Sequence, residues 1–227
     1  ETKDFIDIKM QDEVRYKKPI GIYWLQTVSN FFFGNTPFDK IWVYRIPSIL
    51  GIIFTLLLIN NYSRKIFGKE ISYLSIIFIV TSLLTISEIH QAKTDGFLFL
   101  TITLCNLIIL KALNEKSLNF RDKLIYWLSF GFGVLVKGPI IIIFTVLPLT
   151  GLCLCKKKNF FKKIWSPFGF LIFLIISIPW FVIITIVSNG LFWHESVIHD
   201  LYYKVKSGQE SHGFPPGYYS LLFLVMF

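Results

Sequence analysis

The sequence has 227 residues, of which 54% are hydrophobic and 16% charged, and its formal net charge is +9. Soluble domains carry about 25% charged residues, so this chain has too few charges to cover a soluble surface of its size. The composition therefore argues against a disordered segment, a disulfide scaffold and an ordinary cytosolic enzyme.

The chain starts at Glu1 and finishes in an apolar run, residues 218–227, which is shorter than the roughly 20 residues that a spanning helix needs. We expect the sequence to be an internal piece of a longer membrane protein. The expected organisation is an external loop remnant with an interfacial aromatic helix (1–42), a six-helix transmembrane region (43–187), an external loop (188–217) and the start of a truncated transmembrane helix (218–227).

Apolar runs along the chain predict an all-α, polytopic membrane protein. Helices are expected because a spanning segment must satisfy its own backbone hydrogen bonds in lipid, and a barrel would alternate apolar and polar residues. Residues 19–33 are aromatic and too short to span, and we expect them to lie along the non-cytoplasmic interface. Six full spans are predicted, and 218–227 begins a seventh; the six are residues 43–60, 72–87, 96–113, 124–136, 139–155 and 167–187.

The basic residues predict the orientation of these helices. Cytoplasmic loops carry an excess of Lys and Arg, and three alternate loops together hold twelve basic residues and three acids. The opposite face holds eleven residues of each sign, so the whole net charge is a topology signal and gives no indication of nucleic-acid binding. The twelve are Arg64, Lys65, Lys69, Lys111, Lys116, Arg121, Lys123, Lys156, Lys157, Lys158, Lys162 and Lys163.

Three elements of the predicted non-cytoplasmic face carry charged residues next to apolar segments. A charge in such surroundings is energetically costly, so each element is a candidate for a functional role. The cations of residues 15–19 suit lipid phosphates, although a generic juxtamembrane patch is the alternative. Within residues 88–95, Asp95 is a candidate general base or a carboxylate that stabilises the start of a helix. Lys137 lies on the side where positive charge is not favoured, so it either snorkels to the interface or binds a phosphate or a carboxylate.

Cysteine and histidine spacing gives little indication of a metal site. The three cysteines lie inside apolar runs and are interpreted as small helix residues. The loop at residues 191–217 could ligate a metal or orient a base, but its histidines match no compact zinc spacing. The three cysteines are Cys105, Cys153 and Cys155, and the loop histidines are His194, His199 and His212.

Taken in order, six segments resemble the polytopic glycosyltransferases related to the dolichyl-phosphate-mannose protein mannosyltransferases. The resemblance is to the bacterial branch that contains the lipid A 4-amino-4-deoxy-L-arabinose transferase, and it covers nearly the whole chain. The segments are RYKKPIGIYWL (15–25), YRIPSILGIIFTLLL (44–58), AKTDGFLFLTITL (92–104), GFGVLVKGPIIII (131–143), IPWFVII (178–184) and HGFPPGYYSLLFL (212–224).

The resemblance implies a C-type glycosyltransferase fold in the bacterial inner membrane, with the active face periplasmic. Such enzymes transfer a sugar from a polyprenyl-phosphate donor to a lipid or protein acceptor. By position, Asp95 matches the second acidic motif of the catalytic face and Lys18 matches the lysine that contacts the donor phosphate. His199 and Lys204 are spaced like the histidine and basic residue that face the same phosphate. Positive charge stabilises a departing lipid phosphate, a role in which Lys137 is also expected to act.

Two departures from the family pattern leave alternatives open. The first acidic motif of the family lies upstream of the lysine-proline element, so we expect the main catalytic acid to lie outside this sequence. Lys17 stands where the aminoarabinose branch has a metal-ligating glutamate, so no cofactor is expected, although His199 keeps a divalent metal open. A catalytically inactive, degenerate or split remnant is the main alternative function. A transporter or flippase is a further alternative, in which Asp95 and Lys137 would line a pathway.

Overall fold

The computed structural model describes residues 5–10 and 13–202, and this part of the chain is almost entirely helical. A short antiparallel hairpin, β1 (Lys9–Met10) with β2 (Glu13–Val14), precedes the helices. A π-helical segment, His194–Tyr202, follows them. The α-helices are α1 (Gly21–Phe33), α2 (Ile41–Phe67), α3 (Lys69–Thr81), α4 (Leu83–Ile89), α5 (Asp95–Asn114), α6 (Phe120–Lys137), α7 (Ile140–Lys156), α8 (Phe160–Ile164), α9 (Pro167–Val187) and α10 (Leu191–Trp193).

Each of the six predicted apolar runs is helical over nearly all of its length, which confirms the all-α fold class. Within the described residues, α2, α5 and α9 are long and apolar enough to cross a membrane. The pair α3 and α4 adds a fourth if it is counted as one span, and α7 is a shorter apolar helix. The predicted seventh segment, residues 218–227, lies outside the described residues.

The predicted span at residues 72–87 is not one continuous helix. Helix α3 ends at Thr81, α4 begins at Leu83, and the two are bent by 62°. Ser82 between them has an extended backbone, and the Thr81 hydroxyl donates a hydrogen bond to the carbonyl of Ile77. Serine and threonine hydroxyls compete with the backbone for its hydrogen bonds, and two in succession weaken the helix at this point.

Polar contacts show which helix ends lie together at each end of the bundle. At one end of the bundle, the Ser48 hydroxyl of α2 donates to the carbonyl of Lys93, beside the start of α5. At the other end, Lys163 donates to the carbonyl of Ala112, in the last turn of α5. Two of the lysine-rich loops, residues 111–123 and 156–163, therefore lie together at the end of the bundle opposite the start of α5.

The packing centres on α5, which contacts α2 on one side and α6 on the other, while α6 packs on α9. Close packing of α2 and α5 depends on glycine: a Cβ added at Gly51 would lie 2.5 Å from the carbonyl oxygen of Gly96. Small residues commonly allow such backbone contact between transmembrane helices. The three cysteines form no disulfide, and Cys105 is fully buried in the core.

Candidate active site

An ion pair joins two of the residues singled out from the sequence. Asp95 is the first residue of α5, and its Oδ1 accepts a hydrogen bond from Nζ of Lys137, the last residue of α6. The two side chains are 34% and 22% exposed, so the pair is half-buried at the ends of its helices. The expected carboxylate partner of Lys137 is therefore Asp95, and the carboxylate also lies where the helix dipole favours negative charge.

Glycines hold both partners in place. A Cβ at Gly96, the residue after Asp95, would lie 2.5 Å from the carbonyl oxygen of Ser48, so the start of α5 touches the backbone of α2. Gly138 follows Lys137 and has φ +62° and ψ −128°, a conformation that residues with a Cβ rarely adopt. This turn ends α6 and reverses the chain into α7, which leaves Lys137 at the rim.

Lys137 also lines a cleft of about 460 Å³ together with Lys17 and Lys18. Lys17 is exposed and Lys18 is half-buried, while Pro19 between them and α1 is buried. Three cations thus converge on one cavity of a size typical of small-ligand sites. An anion is the ligand that this arrangement suits.

The basic segment reaches the cleft because α1 and α6 touch through their backbones. A Cβ at Gly21, the first residue of α1, would lie 2.7 Å from the carbonyl carbon of Leu135, two residues before Lys137. The N-terminal hairpin is anchored to the same region, since Trp180 of α9 donates to the carbonyl of Ile6 and the Tyr16 hydroxyl donates to Asp7. These contacts fix the start of α1, and with it Lys18.

An aromatic wall closes the other side of the cleft. The rings of Phe181 in α9 and Trp193 in α10 are stacked with centroids 5.6 Å apart, and Phe192 packs edge-on against Trp193 at 5.3 Å. The indole of Trp193 donates a hydrogen bond to the hydroxyl of Thr185, which fixes its orientation. Aromatic faces next to cations can hold an apolar chain beside its anionic head.

The remaining polar residues of this end are arranged in separate pairs. Lys93 lies 3.5 Å from Glu88, and His194 lies 3.6 Å from Glu195. Among the described residues, no three His, Cys, Asp or Glu side chains come together as a metal site would require. Among the described residues, the charged side chains that line this cleft are those of Lys17, Lys18 and Lys137, which suit an anion.

The family is shown by comparison with known sequences. The sequence model described as dolichyl-phosphate-mannose-protein mannosyltransferase matches residues 17–183. The chain belongs to this family. The family model therefore includes Lys18, Asp95 and Lys137.

Two relatives of this chain, both bacterial proteins, are compared with it individually. It is 22% identical over 219 residues to an undecaprenyl phosphate-alpha-4-amino-4-deoxy-L-arabinose arabinosyl transferase of Proteus mirabilis, covering 94% of this chain and 38% of that protein. It is 32% identical over 148 residues to a transferase of the same description from Wigglesworthia glossinidia brevipalpis, covering 61% and 26%. The chain thus spans less than two fifths of the length of these relatives.

Two crystal structures confirm the fold. Both are of ArnT from Cupriavidus metallidurans, one in the apo state and one bound to undecaprenyl phosphate. The chain superposes on them with TM-scores of 0.75 and 0.77 at 19% and 18% identity, covering 87% and 88% of this chain and 37% of each structure. This chain therefore has the ArnT membrane glycosyltransferase fold, and it is an integral membrane protein.

The structure brings together Lys18, Lys137 and Asp95, three of the five predicted site residues. The backbone of His199 lies in the π-helical segment, but its side chain is not described, and Lys204 lies outside the described residues. The roles assigned to all five stay predictions. Sequence reasoning missed the aromatic wall of Phe181, Phe192 and Trp193, because in a chain with 18% aromatic residues no single ring is distinguished.

Proposed function

We propose that this chain forms the lysine-lined part of a bacterial inner-membrane glycosyltransferase that takes its sugar from a polyprenyl-phosphate donor. The observation that carries the proposal is the cleft lined by Lys17, Lys18 and Lys137, with aromatic rings opposite and the Asp95 carboxylate at its rim. The named activity of the relatives points to undecaprenyl-phosphate-linked aminoarabinose as the donor. A lipid A-like molecule is the proposed acceptor, on the periplasmic face.

The transfer itself exchanges one bond at the sugar for another. The bond between the anomeric carbon and the donor phosphate oxygen breaks, and its electron pair leaves with the polyprenyl phosphate. A bond between the anomeric carbon and an acceptor hydroxyl oxygen forms, and the hydroxyl proton passes to a carboxylate. Positive charge at the leaving phosphate and a base at the hydroxyl are what this reaction requires from the protein.

Lys137 links these two requirements. In the structure its ammonium group is paired with Asp95. This ion pair keeps the lysine at the rim of the cleft and leaves the carboxylate engaged. A donor phosphate in the cleft would draw Lys137 towards itself, because the phosphate is a second anion within reach. Asp95 would then be released to take the acceptor proton or to support the first acidic motif, which is expected outside this sequence. In this proposal the lysines, rather than a metal ion, supply the positive charge.

The position of the charges supports transfer over transport. Asp95 begins α5 and Lys137 ends α6, so both lie at one end of the bundle. Transporters place their substrate and ion sites near the middle of the bilayer. A charged pair at helix ends suits a lipid headgroup at the interface instead.

The test is sugar transfer by membranes that carry the chain, using undecaprenyl-phosphate-linked aminoarabinose and lipid A. We expect Asp95→Asn to lower the rate by about 10²- to 10⁴-fold, the usual contribution of a general base. Asp39→Asn is the matched control, because Asp39 is an exposed carboxylate close to the start of α2. Equal rates for Asp95→Asn and the control would refute the assignment. Absence of transfer by the unmodified chain would favour the catalytically inactive alternative.

A further inference from the structure

A second cleft lies at the opposite end of the bundle, among α6, α7 and α8. Its volume is about 460 Å³, and Trp127, Phe130, Val146 and Leu149 line its interior. Leu149 is fully buried, whereas Phe161 and Lys162 at the opening are exposed. The cavity is thus an apolar slot with a cation at its mouth.

The opening of this slot carries an excess of positive charge. Lys156, Lys157, Lys158 and Lys162 are all exposed, and no ion pair with a carboxylate is found for them among the described residues. The nearby acids are engaged elsewhere, because Asp122 and Glu115 approach Nζ of Lys111 at 2.8 and 3.9 Å. Within the part of the chain that the structure describes, these four lysines have no carboxylate partner, and Lys162 lines the mouth of the apolar slot.

We propose that this cleft binds one anionic phospholipid of the leaflet on its side, which the positive-inside rule makes the cytoplasmic leaflet. The headgroup phosphate lies against Lys162 and Lys158, and one acyl chain enters the slot between Trp127 and Leu149. Basic pockets between transmembrane helices on this side of a membrane suit anionic headgroups. Exposed Phe161 and Trp165 lie where aromatic rings prefer the membrane interface.

Charge complementarity favours lipid over a second copy of the chain. A symmetric dimer through this surface would place the same patch on both subunits face to face. The unpaired lysines of one copy would then meet those of the other, and like charges in contact oppose association. An anionic lipid neutralises the lysines and fills the apolar slot at the same time.

The experiment is native mass spectrometry of the full chain released from membranes that contain equal amounts of phosphatidylglycerol and phosphatidylcholine. We expect one retained phosphatidylglycerol per chain, with about tenfold preference over phosphatidylcholine. Lys158→Gln combined with Lys162→Gln removes two cations from the mouth and should abolish that preference, since each cation near a surface contributes on the order of a fivefold gain. Lys116→Gln combined with Arg121→Gln is the matched control at the same end of the bundle.

A second pair of variants tests the slot itself. Val146→Phe fills the cavity and should abolish retention of both lipids, whereas Leu147→Phe, on the exposed side of the same helix, should leave it unchanged. Equal retention of the two lipids by the unmodified chain would overturn the proposal. The proposal would also be overturned if both double variants lost the preference for phosphatidylglycerol equally, or if Val146→Phe retained lipid fully. A lipid-free dimer would overturn it as well, since it would assign the surface to a second copy of the chain.

Discussion

Replacing Gly96 by alanine tests how the fold positions the ion pair. The added Cβ would lie 2.5 Å from the carbonyl oxygen and 3.0 Å from the Cα of Ser48. Ordinary van der Waals contact begins at 3.4 Å, so α2 and α5 must separate by about 1 Å. Since Asp95 is the adjacent residue, the same movement displaces its carboxylate from Lys137.

The expected cost has two parts. Overpacking of a well-packed contact costs about 1–3 kcal/mol of the free energy of unfolding. A displacement of about 1 Å in a catalytic group can lower a reaction rate by about 10²-fold, because the reacting atoms no longer align. Gly96→Ala should therefore lower both thermal stability and sugar transfer.

Gly151→Ala is the matched control in the same assays. Gly151 lies inside α7, and a Cβ there would meet nothing within 4 Å. Alanine at such a helical position is expected to stabilise by up to about 1 kcal/mol. Thermal unfolding in detergent, followed by the transfer assay, compares the two variants. If Gly96→Ala unfolds at or above the midpoint of Gly151→Ala, the argued contact between α2 and α5 is refuted.

Three further variants test other parts of the structure. Gly138→Ala forces a Cβ into a conformation with φ +62° and should cost about 1–3 kcal/mol of stability, measured by thermal unfolding; an unchanged midpoint would contradict the turn. Trp180→Phe removes the hydrogen bond to the carbonyl of Ile6 and leaves a smaller aromatic ring at this buried position, so limited proteolysis should cut the N-terminal segment faster; an unchanged rate would show that the indole does not anchor it. Asp122→Asn removes the charge that lies 2.8 Å from Lys111, and because Asp122 is buried it should lower the free energy of unfolding by about 1.5–3 kcal/mol; an unchanged midpoint in thermal unfolding would contradict a stabilising pair.

Hydropathy predicts where the helices lie but misses features that depend on partners. The predicted span at residues 124–136 is shorter than the helix that contains it, because α6 extends from Phe120 to Lys137. Its first turn includes charged residues, and Asp122 is accommodated there because Lys111 of α5 neutralises it. The break at Ser82 also has no clear hydropathy signal, because Thr81 and Ser82 lie within an otherwise apolar run.

The candidate site was predictable from the sequence where a charged residue stood in a position that membrane topology does not favour. The positive-inside rule predicts that Lys137 lies on the face where cations are not favoured, and this anomaly pointed to an anionic partner, which in the structure is the Asp95 carboxylate. Its identity as Asp95 depends on the contact between α5 and α6, over a separation of 42 residues that sequence spacing does not reveal. The aromatic wall likewise forms only when α10 packs against α9 and against Tyr16 in the segment before α1.

The most direct test of the account is the affinity of the purified chain for undecaprenyl phosphate in nanodiscs, with uncharged undecaprenol as the reference ligand. The lysine-lined cleft predicts that the phosphate binds more tightly than the alcohol, and that Lys137→Gln weakens only the phosphate. The expected loss is about tenfold, which corresponds to about 1.4 kcal/mol. Lys116→Gln, at the other end of the bundle, should leave both affinities unchanged. Equal affinities for phosphate and alcohol, or an equal loss in both variants, would contradict the account.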